Sequence, residues 1–157
     1  AGGPHGLGGP GAFQQRHHVV VDSNAITSLP SELGALAGLV DLNLRDNDLT
    51  AVPTELGALT GLTRLYLADN AITSLPTEIG ALTALSYLNL YSNDLTSVPP
   101  EFAALASLDF LDLLYNQLTG VPTEFRTWGP NGCYLYDNPG FSCANVGVGT
   151  SCCTGDG

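Results

Sequence analysis

An asparagine returns at a near-constant step along this chain. Asn24, Asn47, Asn70, Asn93 and Asn116 lie 23 residues apart, and Asn138 follows after 22. Each sits in one frame of leucines, complete in Leu39 to Gly61 (LVDLNLRDNDLTAVPTELGALTG). The frame recurs as Leu62 to Ala84, Leu85 to Ser107 and, with drift, Leu108 to Pro130. A fixed period of this length marks a solenoid of stacked supersecondary units, each contacting only its neighbours.

Within a unit the pattern LxxLxLxxNxL carries a short strand. Leu42 and Leu44 point one way and Asp41, Asn43 and Arg45 the other, a period of two. The asparagine turns the chain out of the strand, and its amide suits the backbone groups of neighbouring coils, making a structural ladder. A proline follows (Pro30, Pro53, Pro76, Pro99, Pro122), fixing φ and starting the return path. The next segment, TELGALTGL, spaces its leucines for about one helical or 3₁₀ turn.

The sequence LxxLxLxxNxLxxLPxxLGxLxxL resembles the 23-residue class of leucine-rich repeat proteins, over about Arg16 to Asn138. The resemblance implies an α/β solenoid of right-handed curvature, with a parallel β-sheet on the concave face and short helical or 3₁₀ turns on the convex face. It also implies a concave face that binds other macromolecules. Many extracellular members carry cysteine-bearing caps at both ends; here all four cysteines fall in the last quarter. Asn138-Pro139-Gly140-Phe141-Ser142-Cys143 resembles the start of such a cap. The expected organisation is a Gly/Pro-rich tail over residues 1–15, a repeat domain over 16–138 with five full units and a partial sixth, and a cap over 139–157.

Cys133 takes an inward strand position that leucine or valine holds in earlier coils, and adjacent Cys152 and Cys153 do not readily bond to each other. Two cross-links joining Cys133 and Cys143 to Cys152 and Cys153 are therefore expected, with the pairing open. No CxxC is present, and His5, His17 and His18 lie at the other terminus, which argues against zinc. Clustered cysteines and a start at Ala1 suit a mature secreted protein. At the opposite end Val19 and Val21 close nothing, and a tail of glycine and proline offers little to cover an open strand edge.

The formal net charge is -11, from four arginines, no lysine and fifteen acids. Phosphate recognition needs a basic stripe, so nucleic acid does not fit. No run reaches the roughly 18 apolar residues of a membrane helix. No GxSxG, HExxH or phosphate loop is present, so no enzyme chemistry, resident metal or cofactor is expected.

What the frame leaves free is a set of columns, one residue per coil. All six tyrosines (Tyr66, Tyr87, Tyr91, Tyr115, Tyr134, Tyr136) fall at outward strand-face positions, and Phe110 shares a column with Tyr87. Aromatics suit strands in any case, but six out of six on the open face points to a recognition or assembly surface. Asp46, Asp69, Asp112 and Asp137 are interleaved with the rings, which suits a cationic segment or stacked sugars. Arg64, one coil from Asp41, reads as an internal tie. Glu32, Glu55, Glu78, Glu101 and Glu124 recur on the return turns, where an acid suits the first helical turn; a calcium response is the sharper alternative. A single threonine rank (Thr27, Thr50, Thr73, Thr96, Thr119) is too narrow for an ice-binding array. The partner expected is thus a protein or glycan on the concave face. The alternative is another copy, in a head-to-tail filament with the tail docked on the next subunit.

Overall fold

The computed structural model describes residues 17–126, 130–139 and 141. The expectations for the tail and for cross-links through Cys143, Cys152 and Cys153 lie outside these residues. Six short strands form one parallel sheet in chain order: β1 (His17–Val20), β2 (Leu39–Asn43), β3 (Arg64–Tyr66), β4 (Tyr87–Asn89), β5 (Phe110–Asp112) and β6 (Gly132–Tyr134). Each strand pairs only with its sequence neighbours, in register by repeat position, so that Leu42, Leu65, Leu88, Leu111 and Cys133 form one inward column. The chain is a solenoid.

The return paths are 3₁₀ turns throughout: Ser31–Ala35, Thr54–Ala58, Thr77–Ala81, Pro100–Ala104 and Thr123–Arg126. Pro30, Pro53, Pro76 and Pro99 precede the first four with φ between -73° and -70°. Proline costs nothing there, because that amide has no helical acceptor, while its carbonyl accepts the first i→i+3 bond, as Leu56 N–H to Pro53 O at 3.1 Å. Glycine in these turns answers to crowding between coils. A Cβ on Gly57 or Gly80 would lie 2.7 Å from the carbonyl oxygen of Glu78 or Glu101 in the next turn. The glutamates themselves stay exposed, as expected of charges in a solvated first turn.

Between sheet and turns lies a continuous core of leucines, most of them fully buried. Phe102 and Phe125 replace the aliphatic residue of the turn in the fourth and fifth coils and stack at 6.3 Å. At the C-terminal end of the core Cys133 is buried and disulfide-bonded. Among the described residues the first turn is the least covered: Leu36 is 46% exposed, whereas its equivalents Leu59, Leu82 and Leu105 are at 0%.

The asparagines bind one coil to the next. Asn116 Oδ1 accepts the Leu95 N–H at 3.0 Å, and its Nδ2 lies within bonding distance of the carbonyls of Leu90, Leu113 and Leu114 at 2.9 to 3.2 Å. Asn47, Asn70, Asn93 and Asn138 make the corresponding set. Among the described residues no coil precedes Asn24; its side chain is exposed and donates to Asp22 O, at 2.8 Å. Leaving buried backbone groups unpaired costs about 1–3 kcal/mol each. Asn116→Ala is therefore expected to lose about 3–5 kcal/mol and Asn24→Ala less than about 1 kcal/mol, measured as urea midpoints.

Candidate binding site on the concave sheet

The outward faces of the strands align into columns. One runs His18, Asp41, Arg64, Tyr87, Phe110, Gly132; the next runs Val20, Asn43, Tyr66, Asn89, Asp112, Tyr134. At a strand spacing of about 4.8 Å, rings in successive coils meet face to face. Tyr87 and Phe110 stack at 4.4 Å with planes 2° apart. Tyr66 lies 4.9 Å from Tyr87, Tyr134 lies 5.6 Å from Phe110, and Tyr136 meets Tyr134 edge-on at 6.4 Å. Tyr91 and Tyr115 form a separate edge-to-face pair at 5.2 Å.

All seven rings lie on this face. They are less open than the sequence implies: Tyr115 is 53% exposed, and the rest are half-buried, largely by one another. Gly132 makes room for the ladder, because a Cβ there would meet the Phe110 ring edge at 3.2 Å. That requirement is invisible in the sequence, because it depends on where the Phe110 ring lies.

A second feature escaped sequence reading. The residue before each ladder asparagine is left-handed: Ser23, Asp46, Asp69, Ser92, Tyr115 and Asp137 have φ of 52–57°. Aspartate tolerates this conformation, but tyrosine does so only with strain. Tyr115, the most exposed ring, is thus held where the repeat favours a small polar residue.

The charges divide the face. Asp41, although outward, is buried beneath its partners. Arg64 binds it with both arms of the guanidinium, Nε to Oδ1 at 2.7 Å and Nη2 to Oδ2 at 2.5 Å. His18 Nδ1 contacts the same carboxylate, so His18 belongs to this tie and to no metal cluster among the described residues. The Arg64 hydrogen bonds hold the Asp41 carboxyl below its usual range despite burial. Arg45 lies 3.1 Å from Asp69 and 3.6 Å from Asp46. Among the described residues no ion pair reaches Asp112 or Asp137. Burial pushes the Asp112 carboxyl up, and the adjacent Asp137 charge pushes the Tyr115 phenol up.

With this geometry in view, comparison with known proteins is direct. The family model described as leucine rich repeat matches residues 17–72 and 60–118. The chain belongs to the leucine-rich repeat family. Among solved structures it resembles a leucine-rich repeat protein of Leptospira interrogans, at 44% identity over 64% of this chain and 26% of that one, TM-score 0.63. It also resembles the ectodomain of the Arabidopsis thaliana membrane receptor kinase GASSHO1/SCHENGEN3, solved in complex with CASPARIAN STRIP INTEGRITY FACTOR 2, at 36% identity over 80% of this chain and 16% of that one, TM-score 0.72. A third likeness is to the BIR3–SERK2 complex of the same plant, at 31% identity over 71% and 62%, TM-score 0.63. The chain thus spans about a quarter or less of the first two. No curated protein matches the sequence.

Opposite carboxyl shifts give opposite responses to pH. A lowered folded pKa stabilises above the unfolded value of about 3.9 and is lost as pH falls through the folded value; a raised one opposes folding, an effect that builds above the unfolded value and is complete above the folded one. Asp41→Asn should therefore lower stability at neutral pH, by an amount that shrinks on acidification through the carboxylate range. Asp112→Asn should raise stability at neutral pH, an advantage that declines once pH falls below the folded value and is gone below the unfolded one. Urea midpoints taken across that range read both signs.

Proposed function

We propose that this chain is a non-catalytic, secreted binding module that holds a protein or glycan partner on the aromatic strip of its concave sheet. The observation that carries this reading is the continuous ladder Tyr66–Tyr87–Phe110–Tyr134–Tyr136 beside a strained, exposed Tyr115. Rigid aromatic area of this kind contributes strongly to association at little entropic cost. Strain held at a residue the core does not use is a mark of a working surface. Family membership supports the binding role, and the receptor ectodomain solved with its factor supports a macromolecular partner. The buried half-cystine Cys133 supports an oxidising compartment.

Screening the protein against immobilised random peptides and a glycan array tests this. Replacing Tyr87, Tyr91 and Phe110 with serine should cut capture at least about tenfold while the protein stays folded by circular dichroism. Binders retained by that variant would place the site elsewhere. Tyr115→Asn should weaken capture with stability unchanged to within about 1 kcal/mol, because relief of left-handed strain offsets the lost ring contact.

A second reading, head-to-tail self-assembly, draws on the open first coil. A groove of about 490 Å³ there is lined by His17, His18, Val19, Leu36 and Leu39, and Leu36 and Val20 are exposed. A second copy would bury this apolar end. Sedimentation velocity should then show growth with concentration that Leu36→Glu prevents. A wild-type monomer at every concentration removes this reading.

A further inference from the structure

In three of the six coils the second outward column ends the strand with a side chain that accepts a hydrogen bond from the amide two residues on. Asn43 Oδ1 accepts from Arg45 at 3.0 Å, Asn89 Oδ1 from Tyr91 at 2.9 Å, and Asp112 Oδ1 from Leu114 at 3.1 Å. Asparagine performs this task in two coils without charge, so the local fold does not require a carboxylate in the fifth. Asp112 nevertheless carries one into a half-buried place, where ionisation is opposed by lost solvation.

Its surroundings explain what such a charge can do. Asp112 lies beside Tyr134 of the next strand and two residues from Phe110 on the same face, and its charge reaches the Tyr87 phenol. One coil further, Asp137 lies against Tyr115, whose phenol also feels Tyr91 and Tyr136. Each acid is thus framed by rings, and among the described residues neither has a cation. The described arginines of the face are committed in the second and third coils, Arg64 to Asp41 and Arg45 to Asp69 and Asp46. Along its length the sheet has ion-paired acids in its second and third coils and, among the described residues, acids without a cation beside rings in its fifth and sixth.

We propose that the fifth and sixth coils form a two-point seat for an extended peptide carrying basic side chains, with Asp112 and Asp137 as countercharges and the neighbouring rings stacking against the cations. Arginine and lysine gain both from a ring face and from a carboxylate beside it. A neutral sugar would use the rings and leave the acids without a partner; an anionic glycan would be repelled. The net charge of -11 draws the same class of partner from a distance. The proposal rests on the reading of the strand face as a binding surface and adds the chemistry of its occupant.

The test is a selection from displayed random peptides, followed by affinity measurement for one selected peptide. Its partner probe carries citrulline in place of arginine and acetyl-lysine in place of lysine. Basic residues should be enriched, and the neutralised probe should bind about tenfold more weakly, about 1.4 kcal/mol. Asp112→Asn keeps the bond to Leu114 and removes only charge; with Asp137→Asn it should reproduce that loss and add little to the neutralised probe. Selection of no peptide or of uncharged peptides, or equal binding by the asparagine variants, overturns the proposal. If neutral peptides or sugars are selected and then lost on replacing Tyr87 and Phe110 with serine, the binding face stands and its cationic occupant falls. If those serine variants still bind, the face itself is wrong.

Discussion

A stack of short coils has one recurring difficulty. Each turn out of a strand leaves backbone amides and carbonyls pointing between two coils, where water is scarce and no helix or sheet ladder can pair them. From Asn47 onward the asparagine ladder resolves this, its amide serving its own coil and the one before. The leucine core supplies most of the driving force, but without those bonds the cost of desolvating the turns would oppose it in every repeat. Strand register, the left-handed residue beside each asparagine and the alignment of the outward columns all follow from holding that amide in one place.

Because register is set by the ladder, the outward positions are free of core duty and become a surface on which chemistry can vary coil by coil. This chain uses that freedom unevenly. The first coils carry a closed group, His18, Asp41 and Arg64, whose charges satisfy one another. The later coils carry rings that satisfy one another only in part, with carboxylates set among them. The two ends of the sheet thus differ in kind, an ion-paired cluster at one and stacked rings with interleaved carboxylates at the other.

Much of this was legible in the sequence. A period of 23 with leucines two apart fixes which side chains face the core, and hence which tyrosines share a column. The pairing of Arg64 with Asp41 followed from the same ruler. Contacts that depend on short-range shape were not legible. Gly132 matters because the Phe110 ring lies across it, and Tyr115 is strained because of a backbone angle shared with Ser23 and Asp46, residues of quite different chemistry. The contact of His18 with Asp41 depends on the slip in β1 pairing between His17 and His18, which cannot be seen before the strand is placed against β2. The partial burial of the rings likewise required their mutual stacking, which sequence position alone does not fix.

The asparagine bonds also have a direction. Each ladder asparagine serves backbone groups of the coil before it and none of the coil after. Stripping the first coil would leave Asn47 with a side chain that can turn to water, as Asn24 does. Stripping the last would leave the Leu118 amide and the Leu113 carbonyl, both fixed in the backbone, with nothing to answer them. The stack behaves like a zip fastener with a single slider, resistant to fraying from its first tooth and vulnerable at its last. A covalent staple has the most to protect at the terminal coil, which is where Cys133 stands.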